Sequence, residues 1–338
     1  MYMRFTFCPL FSGSSGNALF IGAGDTRILI DAGMTGKAIE GALRQIDVLP
    51  ETLNGIAVTH EHSDHVKGVG ILSRKDHLPV YANERTWNAM ARTVGEIAPG
   101  NRRIIQDEED FYIGDLALLP FSIPHDAADP VGYRVFYGGR SAATATDMGY
   151  MKKSVVKTLA GTDVLLLESN HDPDLLMLNP HYSLYLKQRI LGNHGHLSNL
   201  ASAEGLLSLL ETGVREVMLG HLSGENNTPE LAMATHTERL SREGVRVGED
   251  VHIGLAWRDR VSRKFEIEGG KKLETARDRL PRALSCGRRL HQRVSGGARG
   301  QSPAHGLRRG RDGPPHAAVG PRRPGRGALD PPAFRPCQ

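Results

Sequence analysis

Three histidines and one aspartate lie within six residues, directly after a short apolar segment. The apolar segment, Gly55–Thr59, is typical of a buried strand, and the polar residues that follow are His60, His62, Asp64 and His65. Imidazole and carboxylate groups are ligands of zinc, manganese and iron. A turn just past a strand end can direct all four side chains into one cavity. The segment therefore predicts a metal site rather than a solvated polar turn.

Further candidate ligands each follow an apolar segment that we predict to be a strand. They are Asp31, His125, Asp147 and His221. Strand ends on one edge of a sheet can converge, whereas scattered surface histidines would not. Such strands alternate with amphipathic helical patterns through residues 1–270, which predicts a mixed α/β layered fold. Together with the first cluster, these positions favour a single metal centre.

The complete pattern resembles that of the metallo-β-lactamase superfamily. It consists of Asp31, His-x-His-x-Asp-His at 60–65, His125, Asp147 and His221. The resemblance implies an αββα sandwich with a dinuclear metal site at one sheet edge. It implies one metal on His60, His62 and His125, and a second on Asp64, His65 and His221. Asp147 would bridge the two metals, and Asp31 would orient a ligand from behind.

Several longer motifs narrow the resemblance to the YycJ/WalJ-like branch of that superfamily. They are SGSSGN at 12–17, THEHSDHVKGVG at 59–70, LESNHD at 167–172, LYLKQRIL at 184–191, GHLSN at 195–199, GHLS at 220–223 and ENNTP at 225–229. The resemblance spans roughly residues 4–267. It implies a metal-dependent phosphodiesterase, a 5′→3′ DNA exonuclease with a role in repair.

The expected cofactors are two divalent ions, Zn or Mn, with Fe acceptable to the same ligands. Such a pair lowers the pKa of a bridging water, and the resulting hydroxide would attack phosphorus. Asp64 would accept a hydrogen bond from that hydroxide. We expect His196 or His171 to contact the scissile phosphate or protonate the leaving oxygen. The alternative is that both histidines only orient metal ligands.

Other polar residues have expected supporting roles. Glu168 would hydrogen-bond a ligand histidine. A substrate loop is predicted from hydroxyl and amide groups that can meet a phosphate, at Ser14, Ser15, Asn17, Ser198 and Asn199. An ordinary hairpin turn at 14–17 is equally consistent with its residue types, and Ser198 or Asn199 could serve as a helix N-cap.

Three other functions share much of this pattern. A small-molecule hydrolase, such as a thioesterase of the glyoxalase II type or a lactamase, needs the same ligands. An RNase needs the same chemistry, although we favour DNA over RNA as the partner. A non-enzymatic binding protein is disfavoured because every ligand position is filled. The sequence does not indicate an oligomeric state.

Charge divides the chain into two parts. Residues 271–338 hold 16 Lys and Arg against 4 Asp and Glu, whereas residues 1–270 hold 26 against 34. We predict a hydrolase domain at 1–270 and a disordered Arg/Pro/Gly-rich tail at 271–338. The tail is either a basic arm for nucleic acid or an out-of-frame read of GC-rich DNA, and the abrupt loss of Lys and Ile favours the latter. No apolar run approaches a membrane span or a signal peptide, so a cytoplasmic protein is expected.

Overall fold

The structure, a computed structural model, describes residues 4–268. The strands, in chain order, are β1 (Arg4–Phe11), β2 (Ala18–Ala23), β3 (Thr26–Ile30), β4 (Gly55–Ala57), β5 (Val80–Ala82), β6 (Arg102–Ile104), β7 (Phe111–Ile113), β8 (Leu116–Ser122), β9 (Val131–Tyr137), β10 (Arg140–Ala145), β11 (Val164–Glu168), β12 (Glu216–Gly220), β13 (His252–Leu255) and β14 (Phe265–Glu268). The helices are α1 (Gly36–Gln45), α2 (Ser63–Val66), α3 (Val69–Asp76), α4 (Glu84–Val94), α5 (Lys153–Leu159), α6 (Pro173–Leu178), α7 (Leu184–Leu191), α8 (Asn199–Leu210) and α9 (Pro229–Ser241).

The strands form two sheets of seven. The first has the order β14-β1-β2-β3-β4-β5-β6, and the second has the order β13-β12-β11-β10-β9-β8-β7. In the first sheet β3, β4, β5 and β6 are mutually parallel. In the second, β10 to β13 are parallel, and β8 shares their direction because β9 is antiparallel to both β8 and β10. The carboxyl ends of β8, β10, β11 and β12 therefore meet at one edge.

Alternating side chains divide each sheet between two hydrophobic layers. In β3, Ile30 packs between the sheets, whereas Leu29 packs against the helices outside the first sheet. In β11, Leu166 packs between the sheets and Leu165 packs against the helices outside the second. Successive strand residues point to opposite faces, so each sheet is buried on both sides. The predicted αββα sandwich is confirmed.

Within the part of the chain that the structure describes, no helix combines the length and the apolar character needed to span a bilayer.

The boundary near residue 270 remains a proposal, because the predicted tail lies outside the described residues. The last described strand, β14, pairs with β1 and places Phe265 opposite Phe7. We expect truncation after Gly270 to leave the melting temperature within about 2 °C of the full chain. Truncation after Arg263 removes β14 and the buried Phe265 ring, and should lower it by about 5 °C or more. Calorimetry of the three chains tests this, and destabilisation by the first cut would make the tail part of the domain.

Candidate metal centre

The first half of the site is the loop that follows β4. Asp31, which directly follows β3, accepts hydrogen bonds from the Thr59 backbone N–H at 2.8 Å and the Thr59 hydroxyl at 2.7 Å. The same carboxylate lies 2.8 Å from Nδ1 of His65. This contact leaves Nε2 of His65 directed toward the other candidate ligands. Asp31 thus holds both the loop and one histidine ring, from behind the cluster.

The second half comes from the strand ends of the other sheet. His125 follows β8, Asp147 follows β10 and His221 directly follows β12. Asp31, Asp147 and His221 have φ angles of 61°, 63° and 54°. This left-handed conformation is uncommon outside glycine and costs about 1–2 kcal/mol. It turns the chain sharply at the strand end, and three such residues at one edge indicate a functional rather than a fold-forming constraint.

The structure brings all seven predicted metal ligands together. Ligand atoms within 4.8 Å of one another form four groups: His60–His62–His125, Asp64–His65–His221, His60–His65–Asp147 and Asp147–Glu168–His196–His221. The first two groups are the ligand sets that the family resemblance implies. Oδ2 of Asp147 lies 3.4 Å from His65 Nε2, and Oδ1 lies 3.8 Å from His125 Nε2. Asp147 therefore stands between the two groups.

Unpartnered polar atoms show that these residues fit a cation. Nε2 of His60, Nε2 of His221 and Oδ2 of Asp147 are buried and have no hydrogen-bond partner among residues 4–268. An unsatisfied buried polar group costs about 1–3 kcal/mol. Nδ1 of His62 also faces Nε2 of His125 at 3.3 Å, so two imidazole nitrogens point at each other. Bound metal ions would satisfy these atoms.

The electrostatics of the cluster also favour bound metal ions. Burial alone lowers the pKa of His65, but Asp147, Asp31 and Asp64 raise it to about 9. Burial alone raises the pKa of Asp147, yet the surrounding histidines hold it below its usual value. Burial and the neighbouring rings hold the pKa of His60 well below its usual value, so this ring is neutral. The carboxylates thus favour the protonated form of a nearby imidazole such as His65. Bound metal ions can supply this positive charge in place of the proton.

Glu168, at the end of β11, connects a candidate ligand with a histidine outside the ligand set. Its Oε1 lies 2.8 Å from Nδ1 of His196 and 3.0 Å from Nδ1 of His221. Its Oε2 accepts the backbone N–H groups of Met148 and Leu197. Burial by itself raises the pKa of Glu168, but His196 and His221 bring it far below its usual value. An ionised, fully bonded carboxylate therefore fixes both rings.

His196 belongs to the fourth ligand group but to neither of the two predicted ligand sets. Its ring centroid is 5.1 Å from that of His125 and 5.2 Å from that of His221. The side chain is 21% exposed, whereas His125 and His221 are buried. With Nδ1 bonded to Glu168, Nε2 is the nitrogen available to a substrate.

Two predicted substrate contacts are buried. His171 is 1% exposed and lies outside every ligand group in residues 4–268, and its predicted role in catalysis stays a prediction. Asn199 is fully buried, where it accepts the Ser169 hydroxyl at 2.6 Å and bonds the Asn227 amide, and its predicted contact with substrate also stays a prediction. The His171 carbonyl accepts the Asn199 N–H at 2.9 Å, so both residues help to join the end of β11 to α8.

The remaining loop residues divide into two kinds. Ser14 and Ser15 are exposed, and their predicted role in substrate binding stays a prediction. Ser198 caps α8 by accepting the Ala201 N–H. Asn17 is buried, donates to the Asp64 carbonyl at 3.3 Å and lies 3.0 Å from Nε2 of His65. Asn17 therefore supports the ligand loop, and its predicted contact with substrate stays a prediction.

Several residues that support the site were not predicted. Asn170 donates to the His221 carbonyl at 2.9 Å, and Ser12 accepts the His221 N–H at 2.9 Å. The Tyr133 hydroxyl donates to the Val58 carbonyl and joins the two sheets beneath the ligands. Asn170 lies inside the LESNHD motif, which was the available signal. Ser12 likewise begins the SGSSGN motif, but its distance from His221 in the chain hid the contact between them.

Known proteins resemble this chain in sequence and in fold. A model for the beta-lactamase superfamily domain matches residues 26–222. The chain is 38% identical to the exodeoxyribonuclease YycJ of Bacillus anthracis over 74% of this chain and 95% of that protein. It is also 38% identical to the exodeoxyribonuclease WalJ of Streptococcus pneumoniae, over 74% and 93% of the two chains. The metallo-beta-lactamase fold protein YhfI of Bacillus subtilis superposes with a TM-score of 0.59 at 16% identity, over 78% and 99% of the chains.

The matched range includes every candidate ligand from Asp31 to His221. The match covers almost the whole length of the two bacterial relatives, and its sequence identity is far higher than that to YhfI, which has the same fold. The superposition on YhfI shows the shared fold. By sequence and by architecture, this chain belongs to the YycJ/WalJ-like branch of the metallo-β-lactamase superfamily and is a metal-dependent hydrolase.

Proposed function

We propose that the protein is a nuclease that removes nucleotides from the 5′ end of DNA. The observation that carries the proposal is the pairing of the candidate ligands with a partly exposed histidine, His196, held by Glu168. The 38% identity to two exodeoxyribonucleases supports DNA as the substrate. Strand removal from a 5′ end is a step in DNA repair, and we include that role in the proposal.

We propose two ions, Zn or Mn, at this centre. One would be held by His60, His62 and His125, and the other by Asp64, His65 and His221, with Asp147 between them. Such ions make a water molecule acidic near neutral pH and offset negative charge on a phosphate. The buried, unpartnered nitrogens of His60 and His221 support this assignment.

Asp64 and His196 would handle the protons of the reaction. The Asp64 side chain is part-exposed, with Oδ2 3.6 Å from His65 Nε2 and 3.8 Å from His221 Nε2. Asp64 can accept a hydrogen bond from the attacking water and orient it toward phosphorus. The new P–O bond forms as the bond from phosphorus to the 3′ oxygen breaks. His196 donates its Nε2 proton to that leaving oxygen.

Labelled oligonucleotides test the proposal. We expect the metal-loaded protein to release labelled mononucleotide at once from 5′-labelled DNA, and to shorten 3′-labelled DNA stepwise. Chelation should stop both reactions, and added Mn or Zn should restore them. His62→Ala and Asp64→Ala should abolish cutting.

The same assay includes the competing substrates. Cutting from the 3′ end would reverse the proposed polarity, and cutting of RNA alone would make the protein an RNase. Hydrolysis of a glutathione thioester without DNA cleavage would identify a small-molecule hydrolase. Full DNA cleavage by both substituted proteins would contradict the assignment of the site.

A further inference from the structure

A helical hairpin with an apolar surface stands beside the candidate metal centre. It consists of α6, α7 and their connection, residues 173–191, and we call it the rim hairpin. Six of its large apolar side chains are exposed, namely Leu175, Met177, Leu178, Leu184, Tyr185 and Leu191. Leu178 and Tyr185 are 79% and 78% exposed. Several large exposed apolar side chains within one short segment are typical of an interaction surface.

The rim hairpin is anchored to the site at both of its ends. It leaves the second sheet just after Glu168 and returns just before His196, the two residues joined at 2.8 Å. Beneath it, Asn170 N–H donates to the Leu197 carbonyl. At its returning end, Nδ1 of His125 lies 3.2 Å from the Gly195 carbonyl. The position of the hairpin is therefore set by the same residues that form the site.

Helix α7 carries Tyr185 and is joined to the loop that follows His125. Arg189 forms an ion pair with Asp126, the residue after the candidate ligand His125. Tyr185 is one helical turn before Arg189, on the same face, and is close enough to interact with it electrostatically. The exposed ring therefore lies beside the ion pair that joins α7 to the loop after His125.

The cations of α7 favour a nucleic acid over a protein partner. Its sequence, LYLKQRIL, contains Lys187 and Arg189 and no acidic residue. Lys187 is held by the Met177 carbonyl and Arg189 by Asp126, so both cations stand at fixed places near the ring. An aromatic ring flanked by cations matches a strand in which flat bases alternate with phosphates. Aliphatic side chains such as Leu184 can separate neighbouring bases as wedges.

Building on the proposed function, we propose that the rim hairpin receives the unpaired bases at the end of the DNA strand, with Tyr185 stacking on one of them. The hairpin would then position the terminal nucleotide so that its phosphodiester reaches the metal centre. Tyr185 is a substrate-positioning residue and takes no part in bond breaking.

Substitution of the ring tests this role with DNA carrying an unpaired 5′ end. Tyr185→Ala should raise KM by roughly 5- to 150-fold, the range for loss of one base–aromatic stack, with kcat changed by less than about threefold. Tyr185→Phe keeps the ring and should retain a near-normal KM. Tyr112→Ala, which removes an exposed tyrosine from the edge strand β7, is the matched control and should behave as wild type.

Different results would overturn the role of Tyr185 and the proposed nuclease function. An unchanged KM in Tyr185→Ala would overturn the inference, as would a loss in Tyr185→Phe equal to that in Tyr185→Ala. If Tyr185→Ala instead changes the sedimentation coefficient without changing KM, the hairpin joins copies of the chain and the inference is wrong. Failure of the wild-type protein to cut any DNA would overturn the proposed function itself.

Discussion

Asp147→Asn is expected to lower kcat/KM on DNA by roughly 10²- to 10⁴-fold, and to reduce the bound metal. The substitution removes the one carboxylate that lies between the two ligand groups, at 3.4 Å from His65 and 3.8 Å from His125. Removing one partner of a buried charge pair costs about 3–5 kcal/mol, which corresponds to that range of rates. Asparagine has the same shape and tolerates the left-handed backbone, so the fold should be retained.

Asp47 provides a matched control for this substitution. It is also an aspartate with positive φ, at 62°, but it is exposed in the turn after α1. Asp47→Asn should keep full activity and metal. The measurements are elemental analysis of the purified proteins, chelator-dependent activity and a thermal melt. An active Asp147→Asn protein with its full metal content would show that Asp147 is not a ligand.

His196→Ala is expected to lower kcat by about 10²- to 10⁴-fold, the usual contribution of a general acid, without loss of metal. The 3′ oxygen of a nucleotide is a poor leaving group and needs a proton, whereas p-nitrophenolate does not. We therefore expect a much smaller loss on a p-nitrophenyl ester of thymidine 5′-phosphate. Comparison of kcat on the two substrates isolates the proton that His196 donates.

Two substitutions complete that comparison. His194→Ala removes an exposed histidine from the same loop and should have no effect on either substrate. Glu168→Gln should lower activity through loss of the ionised partner of His196 and His221. An equal loss on both substrates in His196→Ala would make His196 a structural residue, and loss of metal from that protein would make it a ligand.

The candidate ligands could be predicted because their signals are local. His60 to His65 form a dense polar segment directly after a strand, and Asp147 and His221 each end an apolar run. Parallel strands then bring such positions to one edge, as the structure shows for β8, β10 and β12. Recognition of the family pattern assigned them to two sets, and both sets are among the four groups that the geometry forms.

The features that the sequence does not indicate depend on packing between distant segments. His171 follows β11 and Asn199 begins α8, and nothing near either residue in sequence indicates that both are buried. Helix α3 is hard to recognise in the sequence because Gly70 interrupts its pattern. A Cβ at Gly70 would lie 1.8 Å from the Val94 carbonyl oxygen, so the glycine is required by the approach of α4. The three-residue strands β6 and β7 are too short to show a period.

The two halves of the metal centre belong to different sheets. His60, His62, Asp64 and His65 follow a strand of the first sheet, whereas His125, Asp147 and His221 follow strands of the second. Ions held by both sets would cross-link segments far apart in the chain, much as a disulfide does. Binding to the folded state alone adds to its stability in proportion to the logarithm of ion concentration. In a cell short of metal the protein would therefore be less stable as well as inactive.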